Sequence, residues 1–203
     1  MKRLFAVTTA LLVVAFTAFG CAHMTDGGWT TLIDGPKGLE NFNRVGDANW
    51  RGERDYVVAD QGKGGHLVTK KSYKDFVLRA EFWADHTTNS GIFIRASDPK
   101  KIGAANAYEI NIYDQRPGPE YATGAIVNHA MVPPGRYKAG GKWNTYEIYA
   151  IGPELTVKFN GVVTVYTRDS KFKEGPITLQ YGLGPKGARG GTIRWRTVEI
   201  KEL

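Results

Sequence analysis

Apolar and polar residues alternate with period two through much of the chain, and most clearly over residues 75–114. In the run Asp75–Asp85, Phe76, Leu78, Ala80 and Phe82 fall on one side, and Val77, Arg79, Glu81 and Trp83 on the other. In Ser90–Ala96, Ile92 and Ile94 oppose Phe93 and Arg95; in Ala107–Asp114, Tyr108, Ile110 and Ile112 oppose Glu109, Asn111 and Tyr113. Successive side chains of a strand point to opposite faces, so this pattern predicts three half-buried strands. One face packs on a core. The other carries Arg79, Glu81, Trp83, Arg95, Glu109, Asn111 and Tyr113, a mixture of carboxylates, arginines and aromatics that suits a polar, ring-shaped ligand.

The rest of the chain reads the same way. Trp29–Ile33 is a strand ended by the turn residues Asp34-Gly35-Pro36. Tyr56–Ala59 and His66–Thr69 are short strands around a glycine-rich segment, expected as a hairpin or loop, with His66 and His86 read as surface loop residues. Residues 115–141 have little periodicity and several Pro and Gly, which predicts a functional rim over the polar face, with Tyr121 and His129 as contributors. Asn160-Gly161 between two alternating runs is a hairpin signal. In the last run Ile193 and Trp195 differ in parity from Val198 and Ile200, so a bulge is expected near Arg196. No helix-period segment of useful length follows residue 21. About a dozen short strands imply an all-β fold of two antiparallel sheets packed face to face.

The N-terminus changes the picture of location. Lys2 and Arg3 precede an apolar run, Leu4 to Phe19, that ends in small residues before Cys21, the one cysteine of the chain. Residues 1–20 read as a signal peptide, 21–28 as a lipidated tether and 29–203 as the folded domain. Ala18-Phe19-Gly20-Cys21 resembles a bacterial lipoprotein cleavage box, and Ala22 after the cysteine resembles outer-membrane sorting. The expectation is an exported protein, anchored by acyl chains on Cys21 to the outer membrane and facing the periplasm. Each buried methylene would contribute about 0.8 kcal/mol to that anchoring. Loss of Lys2 and Arg3 lowers the formal charge from +7 to +5. The remaining basic residues are scattered, which excludes a nucleic-acid stripe. No Ser-His-Asp pattern, phosphate-binding loop or dinucleotide fingerprint is present.

The order of several pieces resembles one bacterial family, the 3-keto-disaccharide hydrolases (3-keto-glucoside 1,2-lyase and 3-keto-2-hydroxy-glucal hydratase domains). The pieces are Trp29–Gly35 (WTTLIDG), Tyr73–Phe82 (YKDFVLRAEF), Asn89–Arg95 (NSGIFIR), Tyr108–Asp114 (YEINIYD), Lys142–Ile148 (KWNTYEI), Leu155–Val162 (LTVKFNGV), Ile177–Gln180 (ITLQ) and Val198–Leu203 (VEIKEL). The resemblance implies a concanavalin-like jelly-roll sandwich, an exported protein and a small carbohydrate substrate. It supports Glu81, Arg95, Glu109 and Asp114 as site positions on the concave face. The chain departs from the family where a His usually follows the Gln of the second-last strand; here Tyr181-Gly182 follows Gln180.

If the three central strands are neighbours, Glu81 and Glu109 flank Arg95 at about twice the 4.8 Å strand spacing. That is too far for the roughly 5 Å carboxylate pair of a retaining glycosidase, and leaves an inverting pair or an elimination. A ketone acidifies the proton between it and the anomeric carbon, so an elimination needs a base, a partner for the enolate oxygen and an acid for the leaving oxygen. The expected catalytic set is Glu109 as base, Arg95 on the enolate, and Glu81 or His129 at the leaving group. Arg79, Trp83, Asn111, Tyr113, Asp114 and Gln180 complete the expected substrate-binding set. The alternatives are a cross-strand ion-pair ladder among Glu81, Arg95 and Glu109, and a carbohydrate-binding module without catalysis. No cofactor is required by the sequence; a divalent metal on Asp85, His86 and Asp114 is left open, with no ligand spacing demanding it.

Overall fold

The computed structural model describes Met24–Thr25, residues 27–115 and residues 118–203. The expected signal peptide and Cys21 lie outside the described residues. Among those described, no helix is long and apolar enough to cross a membrane.

The alternating runs form fourteen strands: β1 (Met24–Thr25), β2 (Trp29–Asp34), β3 (Phe42–Gly46), β4 (Arg51–Glu53), β5 (Tyr56–Ala59), β6 (Gly65–Tyr73), β7 (Phe76–Ala84), β8 (Asn89–Ile94), β9 (Tyr108–Tyr113), β10 (Lys142–Ile151), β11 (Glu154–Phe159), β12 (Val162–Arg168), β13 (Gly175–Tyr181) and β14 (Ile193–Glu202). They make two antiparallel sheets. One has nine strands in the order β1-β2-β14-β7-β10-β11-β12, with the β4–β5 hairpin paired to β14; the other has five, in the order β3-β6-β13-β8-β9. The only helical turns among the described residues are three of 3-10 type, each three residues long.

The sheets pack through the expected apolar faces. Phe76, Leu78 and Phe82 of β7, Tyr146 and Ile148 of β10 and Trp195 of β14 meet Leu67, Ile92, Tyr108, Ile110 and Leu179 of the smaller sheet in one buried cluster. Each such side chain contributes about 1.5–3 kcal/mol when fully buried. The bulge lies where the parity change requires it, with the register of β14 on β7 shifting between Trp195 and Thr197, so that both Trp195 and Val198 reach the core. Asn160 and Gly161 join β11 to β12 at φ 49° and 80°, the left-handed pair that a two-residue hairpin needs.

Two expectations about neighbours are corrected. β8 and β9 do pair, but β7 lies in the other sheet, between β14 and β10. The chain crosses between the sheets at Asp85–Thr88, where Thr88 N–H donates to Asp85 O at 3.0 Å. Likewise β5 and β6 are no hairpin: β5 pairs with β14 and β6 with β3 and β13. Residues 122–127 of the long loop run along the outer edge of β9, where Asn111 and Glu109 exchange backbone hydrogen bonds with Gly124, Ala125 and Val127 at 2.9–3.1 Å.

Candidate functional site

The outer face of the five-stranded sheet is built in cross-strand rows. Strand register aligns Val45, His66, Gln180, Gly91 and Asn111 in one row, and Asn43, Val68, Thr178, Phe93 and Glu109 in the next. Phe93 is covered by Ala96, Ala107 and Ile102 of the loop after β8, which fixes that loop as a wall on this face. Across β13, the β5–β6 turn forms the opposite wall. Between them is a groove of about 520 Å³ whose lining includes His66, Asn89, Gln180, Lys63, Lys100 and Lys101. Small-molecule sites span roughly 300–1,000 Å³. A second cavity of about 580 Å³ continues along β6 and β13 and shares Val45 and Lys100 with the first.

Two polar side chains of the first groove, Gln180 and His66, share this sheet face with Glu109, which stands on β9 outside the groove's lining. Glu109 leans across Gly91: a Cβ there would meet Ile110 O at 3.0 Å and Glu109 Cγ at 3.4 Å, so glycine leaves the surface over which this carboxylate lies. Gln180, beside Gly91 on β13, has its Oε1 buried with no hydrogen-bond partner. An unpaired buried acceptor costs about 1–3 kcal/mol, a cost that a ligand hydroxyl would remove. His66, the cross-strand partner of Gln180, has Nδ1 3.2 Å from Thr178 Oγ1 and its ring edge-on to Phe93 at 5.2 Å. Burial pushes its pKa down to about 4, so the imidazole is neutral at pH 7. Glu109 and His66 stand three strand spacings and one row apart, about 16 Å between backbones, with Phe93 between them.

The other expected site residues are distributed over the molecule. Arg79, Glu81 and Trp83 lie on the outer face of the nine-stranded sheet, opposite to Glu109. There Glu81 accepts from Arg196 Nη1 at 2.9 Å, Trp83 lies 4.3 Å beneath the Arg194 guanidinium, and Arg79 pairs with Glu147 at 3.1 Å. Glu147 is held down to about 2, chiefly by hydrogen bonds from Tyr149 and Lys158. The expected Glu-Arg-Glu row is therefore absent: its members belong to different sheets.

Arg95 is 1% exposed at φ 53° and closes the end of the sandwich. It donates to Lys74 O at 2.8 Å, Gly152 O at 2.7 Å, Phe172 O at 3.4 Å and Asp75 Oδ1 at 3.2 Å. His129 pairs with Asp169 at 3.0 Å, and the Tyr108 hydroxyl donates to the same carboxylate at 2.6 Å. Burial alone would favour protonated Asp169, but hydrogen bonds from Tyr108, Lys171 and His129 outweigh it and hold the acid below its usual range. That cluster ties the long loop to the β12–β13 connection, away from the groove. Asp114 accepts from Thr123, Ala139 and Gly140 at 2.7–3.0 Å and braces the same loop. Asn111 is buried and donates to Tyr121 O, and Tyr113 is buried at the end of β9. His66, read from sequence as a surface loop residue, is the groove residue that periodicity could have found: it shares parity with Val68 at the buried start of β6.

The fold defines the protein as a β-sandwich of two antiparallel sheets. Two structures of candidate glycosyl hydrolases from Parabacteroides distasonis superpose on it. One is 25% identical with a TM-score of 0.70, covering 86% of this chain and 99% of that one. The other is 15% identical with a TM-score of 0.72, covering 90% and 99%. The carbohydrate-binding module CBM66 from Bacillus subtilis shares the fold at 15% identity and a TM-score of 0.59, covering 86% and 96%. A search of the curated proteins found no match in sequence. The family model for the 3-keto-alpha-glucoside-1,2-lyase-like domain matches residues 28–201, and the chain belongs to that family. Family and neighbours relate it to sugar-processing and sugar-binding proteins, and the jelly-roll sandwich expected from the resemblance is the fold observed.

Proposed function

We propose that the protein cleaves 3-keto-glycosides by elimination in the groove on the five-stranded sheet. The observation that carries this reading is the buried, unpartnered Gln180 Oε1 beside a neutral His66, on the sheet face that also carries Glu109. Glu109 is the one acid that the five strands direct to this outer face. A direct glycosidase needs two carboxylates about 5–9.5 Å apart, which these strands do not supply. Elimination needs one base and an electrophile for the ketone oxygen.

In the proposed reaction Glu109 takes the proton from the carbon between ketone and anomeric carbon. The electrons of that C–H bond move toward the ketone, whose oxygen becomes an enolate. In the tautomer whose Nδ1 accepts from Thr178 Oγ1, the His66 Nε2–H is a neutral hydrogen-bond donor for that oxygen. A carboxylate base beside a neutral imidazole electrophile is an established pairing for enolisation. The enolate then re-forms its carbonyl, the bond from the anomeric carbon to the glycosidic oxygen breaks, and the departing oxygen takes the proton that Glu109 had removed, which restores the carboxylate. Water can add to the resulting unsaturated ketone. Gln180 accepts from a ring hydroxyl and fixes the sugar. The imidazole comes from β6, while Tyr181, which follows Gln180 in the chain, points into the core with its hydroxyl on Gly190 O at 3.3 Å.

The second reading, a sugar-binding module, draws on the likeness to CBM66. One experiment separates them. The pure protein is incubated with a 3-keto-glycoside and with its parent glycoside, and aglycone release is followed. Release from the keto sugar alone is expected. Saturable binding without release supports the binding module, and equal release from both substrates contradicts an elimination that depends on the ketone.

A further inference from the structure

The first groove is bordered by three lysines and no acid. Lys63 lies in the turn before β6, and Lys100 and Lys101 in the loop after β8, so both walls carry exposed lysines. None of the three has an ion-pair partner among the described residues. Asp47 accepts the backbone N–H of Lys63 at 3.2 Å and Asp98 that of Lys100 at 2.9 Å, so each offsets part of its neighbour's charge and leaves the border a smaller positive excess. The lysine-bearing loop is also held in place. Ile102 packs against Phe93, Ala96 and Ala107, and Asn106 bonds to Lys101 O and, through its own side-chain oxygen, to Gly103 N–H. Unpaired like charges close together cost free energy unless an opposite charge arrives, and a cleft with low-dielectric walls focuses their field on its occupant.

We infer that the groove selects glycosides that carry a negative charge, such as a uronic acid or a sugar phosphate ester. This rests on the proposal that the groove takes a sugar, and deepens it by naming the substrate class. Flexible lysines act as point charges rather than shaped forks, so the selection is for charge and does not distinguish carboxylate from phosphate.

Binding of methyl glucoside, methyl glucuronoside and methyl glucoside 6-phosphate is measured by calorimetry at low and at 0.5 M (about 4 Å screening length) salt. Both anions are expected to bind about tenfold more tightly than the neutral glycoside at low salt, with most of the preference lost at high salt. In the double variant Lys63→Gln/Lys101→Gln the anionic-to-neutral ratio is expected to fall toward one. Equal affinity for all three sugars, or an unchanged ratio in the double variant, overturns the charge inference. Absence of binding by all three overturns the sugar-groove reading itself, and the inference with it.

Discussion

At the scale of single residues, His66 carries a measurable signature. It binds its proton near pH 4 in the folded protein, against 6.5 for an ordinary histidine, because burial disfavours the charged ring. Between those values the unfolded chain holds more protons than the native state. Stability therefore falls as pH drops from 6.5 to about 4, with a slope of up to about 1.4 kcal/mol per pH unit from this group, and His66 makes no such contribution above 6.5. Urea midpoints across this range should show the slope in the wild type and a flatter dependence in His66→Gln. Identical slopes would mean that the ring is not buried neutral. His66 begins a strand legible in the sequence, but the glycines before it left its side chain read as a surface loop residue. Glu109 was visible from alternation, but the glycine that makes room for it, Gly91, carries no signal until the register with Asn111 is known.

At the scale of elements, alternation told which residues share a side of a strand but not which sheet the strand joins. The runs that became β7, β8 and β9 alternate alike, and the switch of sheets occurs in four residues, Asp85–Thr88, whose turn chemistry also suits a tight hairpin. That ambiguity produced the false row of Glu81, Arg95 and Glu109. The parity break near Arg196 and the Asn160-Gly161 turn were legible because each has one simple geometric solution. Arg95 belongs to this scale too. It pins the ends of β6, β10 and β12 through carbonyls of Lys74, Gly152 and Phe172, and it pairs with Asp75. Replacing it by Met would leave those groups unpaired and is expected to cost about 3–5 kcal/mol in denaturant unfolding. A loss below 1 kcal/mol would show that the end of the sandwich is not held this way.

At the scale of the whole molecule, the two sheets expose two unlike faces. The outer face of the nine-stranded sheet carries stacked arginines and aromatics, with Arg196 3.6 Å over Trp143 and joined to both Glu81 and Asp55, beside a smaller cavity of about 300 Å³ lined by Arg79, Glu81 and Glu147. The outer face of the five-stranded sheet has the groove, an unsatisfied Gln180 and a neutral histidine. We propose that the chemistry takes place on the second face, and the most direct measurement compares two glutamates read alike from sequence. Aglycone release from a 3-keto-glycoside is timed for Glu109→Gln and Glu81→Gln under the same conditions. The account predicts a fall of about 10²–10⁴-fold for Glu109→Gln, the usual worth of a general base, and a rate within about threefold of wild type for Glu81→Gln. Unchanged turnover in Glu109→Gln, or an equal fall in Glu81→Gln, would contradict it.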